Sequence, residues 1–116
     1  MISRCHRAVF GFLAISALSL PMLSAAIAAP APAKPKGDAK AGKTAFSKEG
    51  CAGCHKTKDF PMGGDTGPDL SDVAKEHTAA QISAYIKKPK SGSVMPPFKG
   101  PAATLDNLTA YMMTQK

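Results

Sequence analysis

Five residues, Cys51-Ala52-Gly53-Cys54-His55, constrain this chain more than any other stretch. Two thiols three positions apart can add to the two vinyl groups of one haem. The histidine directly after the second thiol is then held beneath the iron, where an imidazole nitrogen binds it. Cys-x-x-Cys alone has other uses. A thioredoxin-like dithiol needs a βαβ setting, and no run with strand alternation surrounds Cys51. A structural zinc site needs four ligands. Here Cys51, Cys54 and a distant His77 would have to serve, because the adjacent Cys54 and His55 are poorly placed to share one tetrahedron. The motif points to one covalently bound haem c.

The N-terminal region fits that chemistry. Arg4 and Arg7 precede an apolar run over residues 8–20, and Ala26-Ile27-Ala28 offers a small-residue cleavage site. Residues 1–28 therefore read as a secretory signal, and the periplasm as the destination, since covalent haem attachment in bacteria is completed outside the cytoplasm. Cys5 leaves with the signal, so only the two motif cysteines remain. The competing reading is a retained anchor: residues 8–29 carry no charge and reach the ~20 residues needed to span a membrane. Pro21 and the small-residue end favour cleavage. Residues 29–37, rich in Pro and Ala, form a linker or tail.

Residues 38–116 are enough for one small domain. A core that short needs a staple, which a buried haem supplies. Asp38 can cap a first helix to about Lys48, with Ala39, Gly42, Ala45 and Phe46 on one face and Gly50 ending it. Residues 56–69, with Pro61, Gly63, Gly64, Gly67 and Pro68, form a loop. A helical turn spans 71–76. Thr78 with Gln81 is a capping box for a further helix whose Ile82, Tyr85 and Ile86 face inward, and Pro89 stops it. Thr104 is the expected cap of the last helix, with Leu105, Leu108, Tyr111 and Met112 as its apolar stripe. Strand signals are absent, so the expected fold is all-α: three main helices plus short turns around one haem.

A sixth iron ligand must come from Met62, Met95, Met112, Met113 or His77. Met95 stands in an irregular loop 40 residues after His55, far enough for the chain to round the porphyrin edge. Pro96 and Pro97 stiffen that loop and remove two N–H donors from an apolar wall, and Phe98 can pack against the ring. Met62 is seven residues from His55; Pro61 and the glycine pair argue against so taut a path. Met112 reads as core, Met113 as its surface neighbour and His77 as a solvent-facing residue before a helix cap.

Taken in order, these elements resemble the class I c-type cytochromes, small soluble monohaem electron carriers. The resemblance rests on Gly42 and Phe46, the Cys51–His55 motif, Gly67-Pro68-Asp69-Leu70, Tyr85-Ile86, Met95-Pro96-Pro97-Phe98, and Leu108 with Tyr111. It implies that the first and last helices cross at Gly42, with Phe46 on Leu108 and Tyr111. It also implies that the Pro68 carbonyl accepts the proton of the non-ligating His55 nitrogen, and that Leu70 packs on the haem. Departures are the loop carrying Met62 and two glycines, and the lack of tryptophan.

The expected function is one-electron transfer with His55/Met95 ligation and no catalytic residues or small-molecule substrate. An enzyme or sensor with an open sixth site is the alternative, but nothing near Met95 supplies a distal histidine or arginine. A permanent cytochrome subunit of a periplasmic oxidoreductase complex is another. Beyond residue 28, 13 lysines face 8 acidic residues, a formal balance of +5 before the haem propionates are counted. With no Arg-rich, aromatic-interleaved surface, nucleic acid is not the expected partner. Redox proteins with acidic docking faces are, met by Lys56, Lys58, Lys87, Lys88, Lys90 and Lys99. A monomer, or a subunit of a complex, is expected, with membrane contact only if the N-terminal segment stays.

Overall fold

A computed structural model describes residues 34–116. The expected signal, Cys5 and most of the linker lie outside the described residues. Within them the fold is all-α: α1 (Ala39–Lys48), a 3₁₀ turn (Cys51–Gly53), α2 (Val73–Glu76), α3 (Ala79–Lys87) and α4 (Ala102–Met112). The one β-type pairing among these residues is an isolated bridge between Thr57 and Phe60.

Asp38 starts α1 as expected. Its side chain accepts a hydrogen bond from the Ala41 amide at 2.6 Å, satisfying one of the donors a helix start leaves free. Its own amide donates to Asn107 Oδ1 at 2.8 Å, which ties the entry of α1 to α4. The two helices cross at Gly42, where any Cβ would overlap the Asn107 carbonyl and press on the Tyr111 side chain. Only a glycine permits that approach. Phe46, one turn on, meets Tyr111 edge-on at 5.5 Å between ring centroids and stacks on Phe60 at 5.6 Å. Phe46, Ile82, Leu108, Tyr111 and Met112 form the buried core. Gly50 closes α1 with φ +79°, in the left-handed region.

α3 carries the full capping box: Thr78 accepts from the Gln81 amide at 3.3 Å while the Gln81 side chain accepts from the Thr78 amide at 2.8 Å. Its inward residues are Ile82 and, half-buried, Ile86. Tyr85 departs from expectation. It lies ~100° round the helix from Ile86, is 38 % exposed, and packs edge-on against His77 at 5.5 Å. His77 is thereby half-buried rather than solvent-facing.

α4 also differs at its start. It begins at Ala102 with Pro101 as N-cap, and the Pro101 carbonyl accepts from the Leu105 amide at 3.1 Å. Thr104 lies inside the first turn. Proline fixes φ near the helical value and lacks one of the donors that a helix start leaves free, and no side chain caps the others. The stripe of Leu105, Leu108, Tyr111 and Met112 is buried as expected. Met113, expected at the surface, is half-buried against the core.

Candidate functional site

The 3₁₀ turn presents the two motif thiols. The Cys54 and His55 amides both donate to the Cys51 carbonyl, at 3.1 and 3.0 Å, winding the chain so that both cysteines belong to one turn. Cys51 is half-buried and Cys54 exposed. Burial pushes the Cys51 thiol up, with the nearby Glu49 carboxylate adding to the effect and its own backbone hydrogen bond opposing it.

His55 is held more firmly. Its Nδ1 lies 2.8 Å from the Pro68 carbonyl oxygen. A carbonyl only accepts, so Nδ1 carries the proton and Nε2 of the neutral ring keeps its lone pair for a metal. Two backbone bonds bracket this contact: the Gly67 amide donates to the Cys54 carbonyl at 2.8 Å, and the Leu70 amide to the Lys56 carbonyl at 2.9 Å. The imidazole is therefore gripped within a short ladder between residues 54–56 and 67–70. Gly67 lies flat against the ring; a Cβ there would collide with Cε1 and Nδ1 of His55. Two thiols on one turn and a buried imidazole with Nε2 free form the donor set that a covalently attached haem requires.

Leu70 and Phe98 are half-buried and pack on the core cluster. The Phe98 amide donates to the Ile86 carbonyl at 3.0 Å, tying the Met95 loop to the end of α3. Met95 is half-buried in that loop, and its amide donates to Ser93 Oγ at 3.0 Å. Met62, by contrast, is 94 % exposed beside Pro61, with its sulfur in water.

Part of the expected basic surface is neutralised within the chain. Lys56 pairs with Asp65, and Lys58 lies 3.5 Å from Asp72. Lys87, Lys88, Lys90 and Lys99 are exposed and belong to no ion pair among the described residues. Of these six lysines, the four without an ion pair lie along the end of α3 and the Met95 loop. Pairing of Lys56 and Lys58 depends on carboxylates brought near by folding, which their own positions do not announce.

A buried polar network also escaped sequence reasoning. Thr57 Oγ1 and Tyr111 Oη share a hydrogen bond of 2.9 Å. The Phe60 amide donates to Thr57 Oγ1 at 3.2 Å, and the Lys58 amide donates to Gln115 Oε1 at 3.1 Å. Desolvation, partly opposed by the Thr57 bond, pushes Tyr111 up to about 12. Lys43 beside Asp59 holds that carboxyl below its usual range. The sequence signal available was slight: a threonine two places after the motif and an aromatic hydroxyl on the last helix.

Among the described residues no helix is long and apolar enough to cross a membrane. Comparison with curated proteins gives no match. Residues 37–112 match the family described as cytochrome C oxidase, cbb3-type, subunit III. The match spans the motif turn, the His55–Pro68 ladder, the Met95 loop and nearly all of α4, so the chain belongs to this family of c-type cytochrome domains and carries a covalently attached haem c for electron transfer.

Proposed function

We propose that the chain is a one-electron carrier of a periplasmic respiratory or dehydrogenase chain. In this reading residues 1–28 are the cleaved export signal, residues 29–37 a linker and residues 38–116 the cytochrome domain. Cys51 and Cys54 form the thioether links, and His55 and Met95 are the axial iron ligands. The observation that carries the reading is the His55–Pro68 hydrogen bond, which leaves Nε2 as the ring's free donor.

The bound haem supplies a one-electron ferric/ferrous couple. The protein's part is to hold that couple steady. The Pro68 carbonyl draws on the Nδ1 proton and strengthens Nε2 as a donor. Met95 brings a soft sulfur that favours ferrous iron and raises the potential relative to a second imidazole. Leu70 and Phe98 keep water from the ring, and a dry pocket disfavours the extra positive charge of the ferric state. With His55 and Met95 both holding the iron, the group would supply electron transfer without ligand exchange, so no substrate site would be needed. Lys87, Lys88, Lys90 and Lys99 steer acidic redox partners to the Met95 side.

The family's description, an oxidase subunit, favours a second reading in which the domain works as a permanent subunit of a larger complex. Elution with its enzyme at high salt marks a subunit; elution alone marks a free shuttle.

The ligation test is the visible-to-near-infrared spectrum of the ferric holoprotein and of Met95→Ala. A weak sulfur-to-iron charge-transfer band in the wild type, absent from the variant, supports His55/Met95 ligation. A high-spin or bis-histidine wild-type spectrum overturns it and moves the choice to an open site or to His77.

A further inference from the structure

The segment that bears His55 is held from two sides, and only one side belongs to the Pro68 ladder. On the other, Thr57 reaches α4. Its side chain is almost fully buried and bonds the Tyr111 hydroxyl at 2.9 Å. The same oxygen accepts the Phe60 amide, so one hydroxyl fixes both the turn at 57–60 and its seat on the helix. Gln115 adds a second grip: its side chain accepts from the Lys58 amide at 3.1 Å, and its backbone carbonyl accepts from the Ala74 amide at 3.0 Å. Asp59 extends the unit to α1 through Lys43. The first and last helices and the C-terminal turn therefore converge on residues 57–59, just after the histidine.

This matters because Lys56 and Thr57 connect the two grips. The Lys56 carbonyl accepts from Leu70, and Pro68 lies between Gly67 and Leu70 in the ladder. If the Thr57 seat loosens, residues 54–57 can turn relative to residues 67–70. The bond most sensitive to that turn is His55 Nδ1–H to the Pro68 carbonyl, because its direction depends on both strands of the ladder.

We propose that Thr57 and Tyr111 are positioning residues for the His55 imidazole, setting the strength of its bond to Pro68 and through it the reduction potential of the haem. The inference rests on the reading of His55 as an axial ligand. Strengthening the Nδ1–H bond makes Nε2 more electron-donating and stabilises ferric iron. Loosening the seat weakens that donation, so the potential moves upward.

The experiment compares holoprotein of wild type, Tyr111→Phe, Thr57→Val and Thr57→Ser. Two quantities are read: the reduction potential by spectroelectrochemical titration, and the exchangeable His55 Nδ1 proton by nitrogen-edited NMR of the ferrous form. Tyr111→Phe and Thr57→Val should raise the potential, speed exchange of the His55 Nδ1 proton and shift its resonance. Thr57→Ser keeps the hydroxyl and should restore both quantities to wild-type values. Unchanged potential and unchanged proton behaviour in both Tyr111→Phe and Thr57→Val, even with lowered melting temperatures, would reduce the network to a structural one and overturn the proposal. Absence of a coordinated-imidazole signal from His55 in the wild type overturns the ligation reading itself, and the proposal with it.

Discussion

Replacing Gly42 by alanine sets two effects of known sign against each other. In an isolated helix the substitution is favourable by ~1 kcal/mol, because glycine loses the most backbone freedom on folding. At the α1–α4 crossing the new methyl would overlap the Asn107 carbonyl and crowd the Tyr111 Cβ. Both obstacles are at the helix backbone or fixed directly to it, so no side-chain rotation relieves them. The helices must separate, and overpacking of that kind costs ~1–3 kcal/mol. Separation also strains the Asp38–Asn107 hydrogen bond that fastens the start of α1, a further ~1 kcal/mol. The expected balance is a destabilisation of ~1–3 kcal/mol, from a total that for a domain of this size is ~5–15 kcal/mol. Melting temperature should fall by about 4–8 °C for each kcal/mol lost. The assay is denaturant unfolding of the holoprotein followed by far-ultraviolet circular dichroism, with Ala41→Gly, at an exposed position of the same helix, as a measure of propensity without the crossing. A Gly42→Ala protein as stable as wild type, or more so, would show that propensity outweighs the crossing and would refute the packing argument.

Thr78→Ala removes the acceptor for the Gln81 amide at the start of α3 and should cost ~1 kcal/mol in the same assay, with Thr78→Ser close to wild type. Tyr111 has its folded pKa raised to about 12. Its contribution is therefore complete below the unfolded tyrosine value of ~10 and is lost as pH climbs from there through about 12. Ultraviolet titration should show its phenolate signal only in that upper range, and alkaline loss of stability should be shallower in Tyr111→Phe. Reversing Lys88 and Lys90 to glutamate should slow reduction of an anionic iron–cyanide complex several-fold at low salt, with the gap closing toward 1 M, where the Debye length is ~3 Å. Lys56→Ala and Lys58→Ala should change that rate much less, since both lysines are already paired. Equal effects from the two sets would contradict a docking role reserved to the unpaired lysines.

Where the chain announces its structure, it does so through local chemistry. Asp38 and Gly50 bound α1, and Thr78 with Gln81 opens α3, because caps are satisfied by side chains only a few residues away. The start of α4 departs from the sequence reading: Thr104 has the chemistry of a cap, but the helix opens earlier, at Pro101, with no side-chain cap. Tyr85 shares the apolar character of Ile82 and Ile86 but lies on their flank, a distinction that depends on which neighbour is packed there. The motif cysteines and His55 were legible from spacing alone. The bond from His55 to Pro68 follows from the resemblance alone, and the ladder bracketing it has no signal in the sequence. Thr57, Gln115 and the pairing of Lys56 and Lys58 were invisible, because each gains its partner from a residue brought close only by the closed fold.

The crossing at Gly42 has a mechanical consequence. α1 and α4 flank the described domain, and the motif turn, the Pro68 ladder and the Met95 loop all lie in the stretch of chain between them. A pull applied outside both helices is borne first by the interlocked backbones at Gly42 and Asn107 and by the Asp38–Asn107 bond. On the C-terminal side part of that load also passes through Gln115, beyond α4, to the Lys58 amide, and so reaches the segment that holds His55. A domain tethered on its N-terminal side while it docks with a partner would therefore carry that strain in its helical clasp, whereas tension from the C-terminal end would be felt by the segment after His55.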